Sequence, residues 1–204
     1  MLADAVAALF TAPDGSYRFA RWGRPIVPVV FGVDDATLPV VKGAVEAVVT
    51  LAGHRMAETD PELGANLMIF FLRDWAELPM VKGLDQLLPD LAALCDRLAA
   101  AGANQYRLFR FDAAGAIKAV FVFLRMDAAL ADMPAEDLAL AQAAEMICLW
   151  SDRAFVQTSS LAQVAGRVIL RPEIAGVIRA AYDPVLPAVA TDASHALRLA
   201  ARMQ

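Results

Sequence analysis

A single glutamate set in an apolar helical stretch is the residue of this chain best placed to do chemistry. The stretch is Leu138 to Asp152, LALAQAAEMICLWSD, and it contains no histidine. Leu140, Ala141, Ala144, Ile147 and Cys148 share one helical stripe, and Leu138, Gln142, Glu145 and Leu149 share the adjacent one. A helix that is apolar around most of its circumference runs through a core. Glu145 is then expected to be partly buried and to need a partner, either Gln142 one turn earlier or an arginine from the C-terminal half.

The remaining reactive side chains are sparse. His54 and His195 are the only histidines and lie far apart in sequence, which excludes an ordinary zinc site; each is expected at the surface, near a helix end. Cys95 and Cys148 sit in apolar helical contexts and predict buried free thiols rather than a disulfide framework. The run Thr158-Ser159-Ser160 lacks the Gly-x-Ser-x-Gly turn of a nucleophile and reads as a helix N-cap. No glycine pattern of the kind that cradles phosphate is present. Arg18, Arg21 and Arg24, interleaved with Tyr17, Phe19 and Trp22, predict a solvated basic rim over aromatic stems.

The elements that position these groups follow from periodicity. Pro25–Phe31 is short and β-branched, with Pro28 favouring a sheet edge. A helix follows, capped by Asp35 or Thr37, with Leu38, Val41, Val45, Val48, Val49 and Ala52 on its inner face and Gly53 at its end. Asn66–Leu72 is an uninterrupted apolar strand, as expected when both sheet faces are covered. Trp75–Lys82 and Leu84–Ala101 predict a helical excursion whose buried stripe is Leu87, Leu91, Leu94 and Leu98. Gln105–Phe111 and Ala116–Arg125 form a β-hairpin around Asp-Ala-Ala-Gly, the second strand being central.

Pro134, Glu136 and Asp137 open the Glu145 helix. Beyond it the chain reads as mostly helical. Ser160 and Gln163 have capping-box spacing, Pro172 starts a helix to Tyr182, and Asp192 caps a last one carrying Ala196, Leu199, Ala200 and Met203. Tyr182-Asp183-Pro184 is a rigid corner that could wall a cleft above the Glu145 helix. The order implies an α+β (mixed α/β) fold: about four strands packed on a central buried helix, with a helical C-terminal half.

Composition bounds the function. With 204 residues, 59% of them apolar, and no Ser/Gly-rich or Pro-rich linker, the chain reads as one domain spanning residues 1–204. Mean hydropathy is high at +0.50, but charge or proline interrupts every apolar run before the ~18–20 residues of a membrane span. The N-terminal MLADAVAALFTAPDGS has no basic region ahead of its apolar residues, so it reads as a helix docking through Leu2, Val6, Leu9 and Phe10, and a cytoplasmic location is expected. A net charge of −5 disfavours nucleic acid as a partner.

The order of elements is similar to the N-terminal half of zincin metallopeptidases, in which a sheet packs on a helix bearing His-Glu-x-x-His. Positions i and i+4 of that helix bring two imidazoles to one zinc. The matching pentad here is Ala144-Glu145-Met146-Ile147-Cys148, which retains the glutamate and lacks both ligands. The chain, from RWGRPIVPVV through NLMIFF and AEMICLWSD to AAYDPVLP, resembles an uncharacterised proteobacterial family described as lipoproteins with a degenerate zincin-like helix. It departs from that family in having no lipoprotein signal and in reading Ala188-Val189 after the Tyr-Asp-Pro turn.

The resemblance implies a zincin-like fold without metal or cofactor, more a binding or accessory module than an enzyme. Its ligand, a small molecule or a protein partner, would enter between the edge strand and the central helix, with Glu145, Gln142, Arg21 and Arg24 as polar contacts. Two alternatives stand beside it: a hydrolase using Glu145 as base, without metal or with a carboxylate-held one, and a structural subunit that self-associates as a homo-oligomer.

Overall fold

The computed structural model describes residues 2–203. The chain opens with α1 (Leu2–Ala8) and the short strand β1 (Phe19–Ala20), then enters a sheet through β2 (Pro28–Phe31). Helix α2 (Thr37–Leu51) leads to β3 (Leu67–Leu72); a 3-10 helix (Trp75–Met80), α3 (Leu84–Leu87) and α4 (Leu91–Ala100) lead on to the hairpin β4 (Gln105–Phe111) and β5 (Ile117–Arg125). After α5 (Ala128–Ala131) and α6 (Ala135–Met146) come the hairpin β6 (Leu161–Val164) and β7 (Arg167–Leu170), then α7 (Pro172–Ala181), β8 (Val189–Ala190) and α8 (Ser194–Arg202). The result is mixed α+β, built on a four-stranded mixed sheet in the order β2-β3-β5-β4. Strands β2, β3 and β5 are parallel, and β4 is antiparallel at one edge.

Alternation along β3 divides the interior. Leu67 and Ile69 join α2 and α6 in the larger core, while Phe70 and Leu72 face α4 and the 3-10 helix in the smaller one. With both faces covered, β3 and β5 are apolar almost throughout. Pro28 opens the opposite edge strand, where a missing N–H is tolerated. Val41, Val45, Val48 and Val49 of α2 are all buried, each worth about 1.5–3 kcal/mol on transfer from water.

Several expected details differ. Neither Asp35 nor Thr37 caps α2; the Asp34 carboxylate accepts from the Thr37 N–H at 2.7 Å. Leu87 is exposed and Leu88 buried, because Pro89 cannot continue the helix and Asp90 takes a left-handed φ of 67° between α3 and α4. Leu2 is exposed, so α1 docks through Val6, with Phe10 buried just beyond it. The segment after Ser160 is the β6–β7 hairpin rather than a helix: Ala165 and Gly166 both adopt positive φ, which closes a two-residue turn between β-branched strands. The C-terminal half is therefore helical only in part.

The largest departure lies in the central helix. It ends at Met146 instead of running to Asp152. Trp22 Nε1 donates to the Met146 carbonyl at 3.0 Å, Trp150 Nε1 to Ala144 at 2.9 Å and the Tyr182 hydroxyl to Ile147 at 2.8 Å. These buried donors satisfy carbonyls that a continuing helix would have paired with its own N–H groups. The chain then turns extended: Cys148 bridges Arg21, and the Leu149 N–H donates to Ala20.

Candidate functional site

Strand β4 lines one side of a groove whose other side is α6 and the segment that follows it. Its hydrogen-bonding alternates in a determinable way. The Arg125 N–H donates to Asn104 at 2.8 Å, and the Val120 N–H reaches the opposite way, to Asn66, at 2.8 Å. With the antiparallel register Gln105↔Leu124 to Arg110↔Ala119, the backbones of Tyr106, Leu108 and Arg110 therefore face β5. Those of Gln105, Arg107 and Phe109 face away from the sheet, and no other described residue pairs with them.

Side chains follow the same period of two. Tyr106 and Leu108 pack on the smaller core, while Phe109 packs on the larger one, the side occupied by α6. Arg107 and Gln105 share that side and meet Gln142 and Glu145, which lie one turn apart on α6. Arg107 Nη2 donates to Gln142 Oε1 at 2.8 Å and forms an ion pair with Glu145. Gln142 Nε2 in turn donates to Gln105 Oε1 at 2.8 Å. The Ser160 hydroxyl completes the set, donating to Glu145 Oε1 at 3.3 Å.

The pair is largely removed from water, with 20% of the Arg107 side chain and 15% of that of Glu145 exposed. Burial pulls the Arg107 guanidinium below its ordinary range, and Glu145 opposes the shift. Arg107 Nε is buried without a hydrogen-bond partner. Each Glu145 oxygen has a partner, Oε2 the Arg107 guanidinium and Oε1 the Ser160 hydroxyl.

Open space lies on both sides of this network. A cleft of about 380 Å³ runs along Arg107, Phe109 and Trp150, and a second of about 290 Å³ opens beside Leu138, Ala141 and Gln157. Gln105, Glu145, Phe155 and Val156 line both. Phe155 is braced edge-on against Trp150 at 5.3 Å, whereas Val156 is 76% exposed.

Of the residues expected at this site, Glu145 and Gln142 are brought together. Arg21 and Arg24 are not. The Arg21 guanidinium lies 5.3 Å from the Tyr182 ring and donates to the Leu186 carbonyl at 3.3 Å. Arg24 pairs with Asp60 and Glu62 at 3.3 and 3.1 Å. The partner of Glu145 comes from the edge strand, not from the C-terminal half. Arg107 and Gln105 were legible in principle, since polar residues alternate with apolar ones in QYRLF beside a helix holding a lone glutamate. Ser160 had no such signal, because its role depends on the hairpin that replaces the expected helix.

The zincin pentad does not fit a zinc ion. Ala144 offers no ligand and Cys148 lies beyond the helix end, fully buried, its thiol pushed up by burial against the opposing charge of Arg21. Among the described residues no group of three or more His, Cys, Asp or Glu is placed to hold a metal. Both cysteines are free and buried, as expected. Thr158 to Ser160 cap no helix; the Ser159 hydroxyl accepts from the Leu161 N–H at the start of β6.

The histidines are less exposed than expected. His54 is half-buried against Tyr182, with Nε2 2.8 Å from the Arg24 carbonyl, and burial lowers its pKa. His195 is 3% exposed; its Nδ1 lies 2.9 Å from the Tyr17 hydroxyl, and its ring lies against Phe19 with centroids 4.3 Å apart and planes tilted by 40°. Burial, helped by Arg198, pulls His195 down to about 4. Because an unfolded histidine titrates near 6.5, the folded state binds fewer protons in between, and the stabilisation is full above that value and lost as pH falls towards 4. Urea unfolding should show wild type losing about 2 kcal/mol more than His195→Gln between pH 7 and pH 5. Equal losses would show that His195 is protonated without penalty.

Fold and site together define a mixed α+β protein with a polar, ion-paired groove at a free sheet edge. No family model, curated protein or solved structure matches the chain.

Proposed function

We propose that this protein is a zincin-like binding or accessory module without peptidase chemistry, and that its groove takes an extended peptide beside β4. The observation that carries the reading is the outward backbone of Gln105, Arg107 and Phe109, a row of unpaired donors and acceptors directly beside two clefts. An added strand would satisfy those groups through main-chain bonds and place alternate side chains in the clefts. The zincin-like fold rests on the antiparallel edge strand facing a core helix that retains one glutamate.

The test is selection of binders from a random decapeptide library, followed by N-methylation of each backbone nitrogen of the best binder. N-methylation at alternate positions should weaken binding by about tenfold or more, while the positions between them tolerate it. A uniform response along the peptide would refute strand addition. Stoichiometric zinc on purified protein, with a hydrolytic activity lost on chelation, would refute the non-catalytic reading.

A further inference from the structure

At the carboxyl ends of β2 and β3 the chain parts in two directions. After Phe31 it turns to α2 on the face of the larger core; after Leu72 it turns to the 3-10 helix and α4 on the opposite face. Loops that diverge from neighbouring parallel strands leave the strand ends uncovered, which is where open α/β sheets receive ligands. A cleft of about 740 Å³ lies at this point, sharing no lining residue with the groove at β4. Its size is that of a small-molecule site.

The walls have a definite chemistry. Gly32 sits at φ +81°, and a Cβ there would lie 2.0 Å from the Phe71 carbonyl oxygen, so only glycine lets the departing loop rest on the end of β3. Phe31 stacks on Phe70 with ring centroids 4.6 Å apart and 15° between planes, yet stays 41% exposed. Met80, 81% exposed, and Met126 add polarizable surface that adapts to ligand shape. Two charged side chains line the cleft, Arg73 and Glu77. Glu77 is held back towards the backbone through one oxygen, Oε1 accepting from the N–H groups of Arg73 and Asp74 at 3.1 and 3.2 Å. Among the described residues no carboxylate lies within ion-pair distance of the Arg73 guanidinium.

We infer that this crevice is a second binding site, for a flat aromatic molecule bearing an anionic group, its ring against Phe31 and its charge at Arg73. Stacking uses the exposed Phe31 surface, and a guanidinium without a partner is the donor that a carboxylate, sulfonate or phosphate matches best. The anion therefore supplies what Arg73 lacks within the fold.

The probes are 8-anilinonaphthalene-1-sulfonate and the neutral N-phenyl-1-naphthylamine, titrated by fluorescence into the full chain at neutral pH. The sulfonate should saturate at one equivalent. Arg73→Glu should weaken the sulfonate by about tenfold and the neutral dye by less than about twofold. Phe31→Ser should weaken both dyes, while Val156→Ser, in the β4 groove, should leave both unchanged. If Phe31→Ser shifts the unfolding midpoint, Met80→Ser replaces it as the apolar-wall variant. Absence of saturable binding, equal loss of both dyes in Arg73→Glu, or loss in Val156→Ser would overturn the assignment.

Discussion

Replacing Arg107 by alanine should lower the unfolding free energy by about 3 kcal/mol, the low end for breaking a buried ion pair, because each partner keeps some contact with water. The loss is more than one contact. Glu145 would keep only the Ser160 hydroxyl at 3.3 Å, and Gln142 would lose the donor to its Oε1. A carboxylate stranded between α6 and β4 carries an uncompensated desolvation cost, which the substitution exposes. Replacing both members, as Arg107→Met with Glu145→Met, should recover most of the stability, since apolar residues of similar volume remove the desolvation cost along with the attraction. Urea unfolding of the single and double variants measures this. A single-variant loss below about 1 kcal/mol would show that the pair behaves as a surface salt bridge.

Trp22→Ala should be more damaging, by about 4 kcal/mol or more, because two costs add. Trp22 is fully buried, so removing the indole leaves a cavity in the larger core. Its Nε1 also holds the Met146 carbonyl at 3.0 Å, and nothing else in the described residues donates there. Trp22→Phe separates the two: most of the volume stays, only the donor is lost, and about 1–3 kcal/mol should go. A negligible loss in Trp22→Phe would mean that packing alone matters and that Met146 finds another partner, whereas equal losses in the two variants would mean that the lost donor accounts for both. Amide exchange in residues 147–150 should rise in both variants, since Trp22, Trp150 and Tyr182 jointly hold the chain extended after α6.

Much of the framework was legible because it rests on local periodicity. The uninterrupted apolar run of β3, the edge position of Pro28, the Asp-Ala-Ala-Gly hairpin and the valine stripe of α2 each follow from short-range rules. The groove between β4 and α6 was legible in outline, and Glu145 and Gln142 do lie in it. What was not legible depends on contacts distant in sequence. Arg21 and Arg24 look available in a basic run, yet a tyrosine face and two carboxylates hold them elsewhere. His195 looks like a surface residue near a helix start, but α8 turns it against Tyr17 and Phe19.

The stretch LALAQAAEMICLWSD marks the boundary between the two kinds of information. Its composition alone determined a buried helix with one isolated carboxylate and no histidine ligands, since no arrangement of neighbours can supply an imidazole that the segment lacks. Only the tertiary structure decided where that helix stops and what becomes of its glutamate. Helical propensity is worth a few tenths of a kcal/mol per residue. Three buried side-chain donors outweigh it, ending α6 at Met146, and an arginine 38 positions earlier in the chain, set by strand register, takes the carboxylate.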